Sequence, residues 1–342
     1  MSTTHLQQTR TQSSSNVAGT LRLNPSHTLQ NTNWKEDLHQ QGWVVIKGVI
    51  PREKALSYAD EAYQYLESFG LGFDAKDRTT WIPENMPFFF KGGLFHRYGA
   101  SHEQFVWDIK QEPELVKQFA ELWGTEELVC SFDGLNISLP IHGRTPDDDA
   151  YVPWPHVDQS PLVTDFHCVQ GAMNLLPNGP KDGGLMVLKG SKELYSQAWK
   201  AFDKDKPEGG WNERHLHDFT PEQIQWFLDN GAEWHKICAD PGDLFLWDSR
   251  TVHYGATPES NNPRIATYVC YKPAFLLTPE IKQQRKEAWD KKYITSHDPI
   301  TFTIEDRAPP ASHITRDHWK ISTLQEPVLT VLGRKLVGVE DW

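Results

Sequence analysis

The sequence predicts a mainly β fold with flanking helices, built on a jelly-roll or barrel core. Three observations carry this expectation. From Leu128 onward the chain breaks into short β-like runs: LVCSF, LNISLPI, VPWPHVD, FHCVQGAMNLL, GLMVLKGS, DLFLWDSRTVHYG and RIATYVCYKPAF. Gly, Pro and Asp punctuate these runs, whereas a parallel α/β fold would place a helix between successive strands. The stronger helix signals, several with Pro in the first turn, fall mostly before and after this stretch.

The elements follow in chain order. Residues 1–32 are rich in Ser, Thr, Gln and Asn, and the first acidic residue is Glu36. Such a segment cannot bury enough apolar surface to fold, so a disordered leader is expected. It lacks the apolar stretch of a secretory signal, which makes the cytoplasm the expected address; its acid-free, Arg-containing composition keeps the mitochondrion as a weaker alternative. A short helix over 36–41 should stop at Gly42, followed by a strand over 43–49. Pro51 opens a helix over 51–69 that Gly70 closes, and a second helix spans 113–122 ahead of Gly124. Between them, residues 71–105 carry Trp81, Phe88, Phe89, Phe90, Phe95 and Tyr98 among Pro and Gly, which reads as a packed connection rather than a lid. The stretch 195–236 interrupts the strands and holds one helix that starts at Thr220-Pro221-Glu222 and ends at Asn230-Gly231. A C-terminal helix is expected over 279–293, its Lys and Arg gathered toward the end that the helix dipole favours.

Composition excludes several function classes. The 342 residues carry 34 Lys+Arg against 46 Asp+Glu, a net charge of −12, which argues against a nucleic-acid-binding face. No apolar run approaches the length of a membrane-spanning helix. The four cysteines, at 130, 168, 238 and 270, form no C-x-x-C pair and read as reduced thiols. Length alone would allow two domains, but the strand texture favours one domain over 33–342, with its β core at about 128–275.

The chemistry concentrates in that core. In a strand, residues i and i+2 share a face, so His156 and Asp158 can converge on one ion. An isolated H-x-D is weak, since about one is expected by chance in a chain of this composition. Its context is stronger. The turn Asp240-Pro241-Gly242-Asp243 leads into a strand-like run carrying His253, and Arg264 follows eleven residues later. Two imidazoles and one carboxylate occupy one face of an octahedral Fe(II) and leave the other positions open. A guanidinium can take the distal carboxylate of a keto acid in a bidentate pair that Lys cannot reproduce.

With these parts in order, the sequence resembles the phytanoyl-CoA dioxygenase-like branch of the Fe(II)/2-oxoglutarate-dependent oxygenases. The resemblance rests on H-V-D at 156–158, D-G-G-L-M-V-L-K-G-S at 182–191, P-G-D-L-F-L-W-D-S-R-T-V-H at 241–253, and Arg264, and it covers roughly residues 40–275. It implies a double-stranded β-helix, with Fe(II) on His156, Asp158 and His253, the 5-carboxylate of 2-oxoglutarate on Arg264, and O2 as co-substrate. Gln170 and Asn174, on the strand after H-x-D, read equally as a plain polar face or as cofactor contacts; Gln170 is carried forward as a cofactor-binding candidate. The chain departs from related enzymes at Pro153-Trp154-Pro155, where a polar residue often helps hold the cofactor, and at Gly190-Ser191-Lys192. Asp158 matters too: relatives that halogenate replace this carboxylate with a small residue, so oxygenation is expected.

The expected function is therefore oxidation of a small organic molecule in specialised metabolism, by hydroxylation, desaturation or cyclisation, with release of succinate and CO2. Two alternatives stay open at this point: a metal-dependent cupin-like enzyme that does not use 2-oxoglutarate, and a non-catalytic jelly-roll binding module. No basic cluster suited to a CoA tail is evident, and nothing in the sequence fixes the oligomeric state. Around the site, Trp154 is read as a cavity wall and Trp247 as core packing. His167 is read as an ordinary strand histidine and Arg250 as an ion-pair partner. Asp147, Asp148 and Asp149 read as a solvated loop. Lys91, His96 and Arg97 would meet an anionic substrate if residues 81–98 fold over the mouth.

Overall fold

Helix signals in the sequence translate into eight α-helices in the computed structural model, which describes residues 33–141, 152–315 and 324–342. The expected leader and the acidic loop at 147–149 lie outside the described residues. The helices are α1 (Trp34–Gln41), α2 (Arg52–Glu67), α3 (Gln104–Lys110), α4 (Pro113–Trp123), α5 (Ser191–Ala201), α6 (Pro221–Asp229), α7 (Pro279–Lys291) and α8 (Val331–Val337). Their ends follow local chemistry. Gly42 and Gly124 close α1 and α4 in left-handed geometry. Thr220 and Gln223 form a reciprocal capping box at the start of α6, and Thr278 caps α7.

The strands are β1 (Trp43–Ile46), β2 (Leu94–Phe95), β3 (Leu128–Cys130), β4 (Leu135–Ser138), β5 (His156–Val157), β6 (Val169–Asn174), β7 (Gly184–Lys189) and β8 (His217–Asp218). They continue with β9 (Glu233–Lys236), β10 (Leu244–Asp248), β11 (His253–Ala256), β12 (Arg264–Val269), β13 (Tyr271–Pro273), β14 (Ile294–Thr295) and β15 (Ile304–Glu305). A six-stranded sheet has the order β1-β10-β6-β12-β4-β2, and a five-stranded sheet the order β8-β5-β11-β7-β9. From β4 to β7, and again from β10 to β12, successive strands alternate between the two sheets.

An apolar layer joins the sheets. Ala172, Phe245, Trp247 and Ala266 of the larger sheet share one cluster with Leu185 and Val187 of the smaller one. The largest cluster packs α1, α2, α3 and α4 with residues of the larger sheet, including Leu244 and Leu246 of β10. A third cluster packs α5 and α6 with the smaller sheet through Leu188, Tyr195, Trp199 and Phe227.

Several expectations need correction. Helices hold more residues than strands, so "mainly β" describes the core and not the chain. The run at 243–255 is two strands in different sheets. It breaks because Asp248 accepts from the backbone N–H of Arg250 at 2.9 Å while its carbonyl accepts from Thr251 N at 2.8 Å, closing a turn. The run at 264–275 is likewise split, at Cys270. The strand expected over 43–49 ends at Ile46, the helix expected over 51–69 ends at Glu67, and the C-terminal helix ends at Lys291. Within 195–236 the structure adds most of α5, which the sequence reading missed, and the strands β8 and β9, the latter with polar outward residues; α3 and α8, each only seven residues long, also went unread.

Candidate metal centre

His156 and His253 are directly opposite each other in the antiparallel pairing of β5 with β11. Cross-strand neighbours of this kind hold their side chains close together, and the two imidazole centroids are 4.3 Å apart. Asp158 follows two residues after His156 and its backbone N–H is tied to the carbonyl of Ser249 at 3.1 Å, which returns its carboxylate to the same side. Ligand atoms of His156, Asp158 and His253 all lie within 4.8 Å of one another.

Hydrogen bonds fix which nitrogen faces the centre. His156 Nδ1 lies 3.0 Å from the carbonyl of Trp154, and His253 Nδ1 lies 2.9 Å from that of Thr251. A carbonyl only accepts, so each Nδ1 carries the proton and each Nε2 presents its lone pair inward. His156 Nε2 is 3.8 Å from Asp158 Oδ1, and His253 Nε2 is 3.3 Å from Asp158 Oδ2. Burial, reinforced by His253, pushes the His156 imidazole down to about 3, so it stays neutral and ready to ligate at ordinary pH. Burial alone would raise the Asp158 carboxyl. The imidazoles of His297, His156 and His253 outweigh it and hold the group well below the usual carboxylate range.

Arg264 reaches into the same space from the larger sheet. It is only 5% exposed, and one guanidinium nitrogen donates to Asn136 Oδ1 at 2.6 Å. Among the described residues no carboxylate forms an ion pair with it, which leaves a buried cation uncompensated. Its Nε lies across the cleft against Gly184 of β7: a Cβ built there would stand 2.9 Å from it, and Gly184 has a φ of +124°. Gly184 pairs with Ala256, three residues from His253 on the same strand, a separation of roughly 10 Å along a β-strand. The triad and a guanidinium without an acidic partner thus lie roughly 10 Å apart along the strands, a spacing that suits a small dicarboxylate and its contacts.

Comparison with known proteins gives the family. The family model described as phytanoyl-CoA dioxygenase (PhyH) matches residues 38–266. The "Ava biosynthesis cluster protein O" of Aspergillus versicolor is 37% identical over 275 residues, covering 80% of this chain and 88% of that protein. The chain belongs to the phytanoyl-CoA dioxygenase family. A provisionally named phytanoyl-CoA dioxygenase of Dictyostelium discoideum is 21% identical over 291 residues, covering 73% of this chain and 78% of its own. A solved, provisionally named oxidoreductase of Salmonella typhimurium LT2 shares the fold, with a TM-score of 0.59 at 15% identity over 89% of this chain and 82% of that one.

As a member of the phytanoyl-CoA dioxygenase family the protein is an Fe(II)- and 2-oxoglutarate-dependent dioxygenase, and its residues fit both cofactors. Two imidazoles and one carboxylate form the facial donor set that Fe(II) takes. The buried, acid-free guanidinium of Arg264 suits the distal carboxylate of 2-oxoglutarate. Gln170, carried from the sequence as a cofactor contact, donates from Nε2 to Asp158 Oδ2 at 2.8 Å and so holds a candidate metal ligand instead. Asn174 donates to the carbonyls of Leu176, Ala239 and Asp240, which pins the turn before β10.

The aromatic wall is more specific than the sequence suggested. Trp154 stacks on His156, with centroids 3.9 Å apart and planes 6° from parallel. Lys91 places its ammonium 3.2 Å from the centroid of the Trp154 ring, so part of the 81–98 segment does reach the metal strand. His96 turns to Asp133 and Arg97 to Glu305. Trp247 lies on β10 rather than on the strand of His253, yet its ring is 5.4 Å from that imidazole. Arg250 pairs with Asp248, as its sequence position suggested.

One cluster was missed. Asp298, fully buried, accepts from Lys272 Nζ at 2.6 Å and from the backbone N–H groups of Ile300 and Thr301, and lies 2.9 Å from His167 Nε2. It locks the turn that carries His297, whose buried Nε2 has no hydrogen-bond partner and whose imidazole acts on Asp158. The only sequence signal for this turn was the S-H-D-P at 296–299, well beyond the strand texture.

Proposed function

We propose that this dioxygenase oxidises a small organic molecule in specialised metabolism, by hydroxylation, desaturation or cyclisation, and converts 2-oxoglutarate to succinate and CO2 as it does so. The observation that carries the reading is the triad together with Arg264, a buried guanidinium that no carboxylate among the described residues pairs with. The guanidinium of Arg264, buried without an acidic partner, has the geometry to take the distal carboxylate of an anionic co-substrate. The biosynthetic setting is supported by the name of the Aspergillus versicolor relative. The alternation of strands between sheets supports a double-stranded β-helix as the core.

When bound, Fe(II) and 2-oxoglutarate supply the oxidising chemistry with O2; the chain supplies position and shelter. His156, Asp158 and His253 would hold the metal through Nε2, a carboxylate oxygen and Nε2. Their inward lone pairs are set by carbonyls two residues ahead of each histidine, so the nitrogens are oriented before binding. Arg264 would fix the keto acid at its far end, and Asn136 holds the guanidinium in place to receive it. Trp154 and Trp247 flank the two metal imidazoles and exclude water from that side.

The test is succinate release by the iron-loaded protein, measured with candidate substrates and with mass spectrometry of the products. Substrate-stimulated succinate formation that disappears in His156→Ala and in His253→Ala is the expected result. Anaerobic reconstitution that gives no Fe(II) uptake, or product formation without 2-oxoglutarate, would retire the proposal.

A further inference from the structure

The chain makes a tight hairpin over Phe90–Leu94, whose two ends exchange backbone hydrogen bonds of 2.8 Å in both directions. Its base is fixed to β4: the carbonyl of Gly92 accepts from Ser138 Oγ at 2.6 Å, and that of Gly93 accepts from Ile137 N at 2.8 Å. A Cβ at Gly93 would stand 2.5 Å from the carbonyl oxygen of Ile137, so only glycine permits this approach. Three successive tip residues have positive φ, Lys91 at +40°, Gly92 at +78° and Gly93 at +141°. Two of them are glycines, which are relaxed there. Lys91 is one of three non-glycine residues with positive φ among the described residues. An L side chain is strained in that conformation, and such strain persists where the surroundings hold it and gathers at functional sites.

The one side chain that this strained tip carries lands on the wall of the metal centre. Its ammonium lies 3.2 Å from the centroid of the Trp154 ring, and the His156 imidazole lies 3.9 Å from the same ring with planes 6° apart. Two groups this close to one ring cannot share a face, so Lys91 and His156 sandwich the indole. Trp154 also holds His156 a second time, because its carbonyl accepts from His156 Nδ1 at 3.0 Å. Pro153 and Pro155 restrict the backbone on either side of it. The indole is only half-buried. Without the ammonium its outer face would meet solvent, and nothing on that side would keep the ring flat on the imidazole.

We propose that Lys91 is a positioning residue for His156 that acts through Trp154: the ammonium pins the indole flat, and the pinned indole fixes the plane of the imidazole that presents Nε2 to the metal. This rests on the metal-site reading above. A cation is drawn to an aromatic face by the ring's own charge distribution, and Trp offers the strongest such face. The hairpin is anchored on β4 of the larger sheet, whereas Trp154 precedes β5 of the smaller one, so the stack sets His156 against both. A lysine this near a metal ion also repels it through space. The two effects of Lys91 on metal binding therefore have opposite signs, and only the favourable one passes through the indole.

The experiment is a double-mutant cycle on the full chain, with Co(II) affinity measured by anaerobic calorimetry in wild type, Lys91→Met, Trp154→Leu and the double variant. Direct repulsion is the same in both backgrounds, whereas the contribution through the indole vanishes with it. Lys91→Met should therefore be more damaging to Co(II) binding with Trp154 present than with leucine in its place, by about threefold to thirtyfold, the range of a cation–π contact. Lys91→Arg keeps a cation that stacks on Trp and should restore most of the wild-type affinity. Equal effects of Lys91→Met in the two backgrounds, or Lys91→Arg behaving like Lys91→Met, would overturn the role assigned to Lys91. If Lys91→Met does not fold, Lys91→Gly, which suits the left-handed tip, takes its place, and a lack of coupling there overturns the role as well. Trp154→Phe stands in likewise for Trp154→Leu, with a smaller coupling of the same sign expected. Wild-type protein that takes up no Co(II), or His156→Ala that binds it as tightly as wild type, would sink the metal-centre reading itself, and the Lys91 assignment with it.

Discussion

Replacing Gln170 by Leu isolates the contribution of a single hydrogen bond to the metal centre. The amide Nε2 sits 2.8 Å from Asp158 Oδ2, the same oxygen that faces His253 Nε2 at 3.3 Å. Leu is close in volume, and the cross-strand neighbour of Gln170 is Trp247, so the pocket should close around it without a large void. A hydrogen bond to a charged group contributes about 1.5–3 kcal/mol, which at about 1.4 kcal/mol per decade is roughly a tenfold to 150-fold change in affinity. Partners that orient a metal ligand typically change metal affinity by about 10–100-fold, which brackets the same effect from a different direction. In the metal-free protein the Asp158 side chain keeps 13% exposure, so water can take the vacated donor position and the fold should change little. The assay is anaerobic titration of wild type and Gln170→Leu with Co(II), paired with thermal unfolding of both metal-free proteins. Expected are a weakening of Co(II) binding by about 10–100-fold and nearly unchanged melting. Equal Co(II) affinities would show that the Gln170–Asp158 contact is incidental.

Three further outcomes follow from particular contacts. Gly184→Ala should raise the 2-oxoglutarate requirement with little effect on metal affinity, because the new methyl stands 2.9 Å from Arg264 Nε at a φ of +124°; parallel titrations with both ligands check this, and equal effects on the two would refute it. Asp298→Asn should destabilise the protein by about 3–5 kcal/mol, since it leaves Lys272 charged and buried, and adding Lys272→Met should recover much of the loss; denaturant midpoints of the two single variants and the double variant decide it, with simple additivity as the refuting result. His102 is fully buried, and burial brings its imidazole down to about 3. The folded state therefore binds fewer protons than the unfolded state, whose histidine titrates near pH 6.5, so stability is full above that value and falls with pH toward about 3, by about 1.4 kcal/mol per pH unit. His102→Gln should flatten the pH dependence of the denaturant midpoint between pH 6 and 4; an unchanged slope would refute the assignment.

Much of the centre was legible because its signals are local. His156 and Asp158 are two residues apart, and the turn Asp240-Pro241-Gly242-Asp243 announces the chain segment that carries His253. Helices with Pro in the first turn and Gly or a capping Thr at an end were readable for the same reason. What escaped depended on where distant segments meet. Strands β10 and β11 looked like one run because the dividing turn contains no Gly or Pro; it closes through Asp248 and Arg250, residues that a strand edge also accepts. The partner of Gln170 could not be read because it follows a strand of the other sheet. His297 and Asp298 sit in a segment whose importance appears only when Lys272 and His167 come beside it. Trp154 was expected on the ligand face, but neither its parallel stacking on His156 nor the ammonium of Lys91 above it follows from spacing.

The division of the site between the two sheets has a thermodynamic consequence. His156 and His253 belong to β5 and β11 of the smaller sheet, whereas Gln170 and Arg264 belong to β6 and β12 of the larger one. Bound iron and 2-oxoglutarate would therefore act as a cross-brace, and separating the sheets would require releasing both. Ligand at a hundred times its dissociation constant stabilises a native state by about 2.7 kcal/mol, a large share of the net stability of an ordinary domain. Supply of iron and 2-oxoglutarate would then govern how long each copy of the chain survives proteolysis, as well as how fast it turns over. A cell short of iron would hold fewer copies, each of them easier to open.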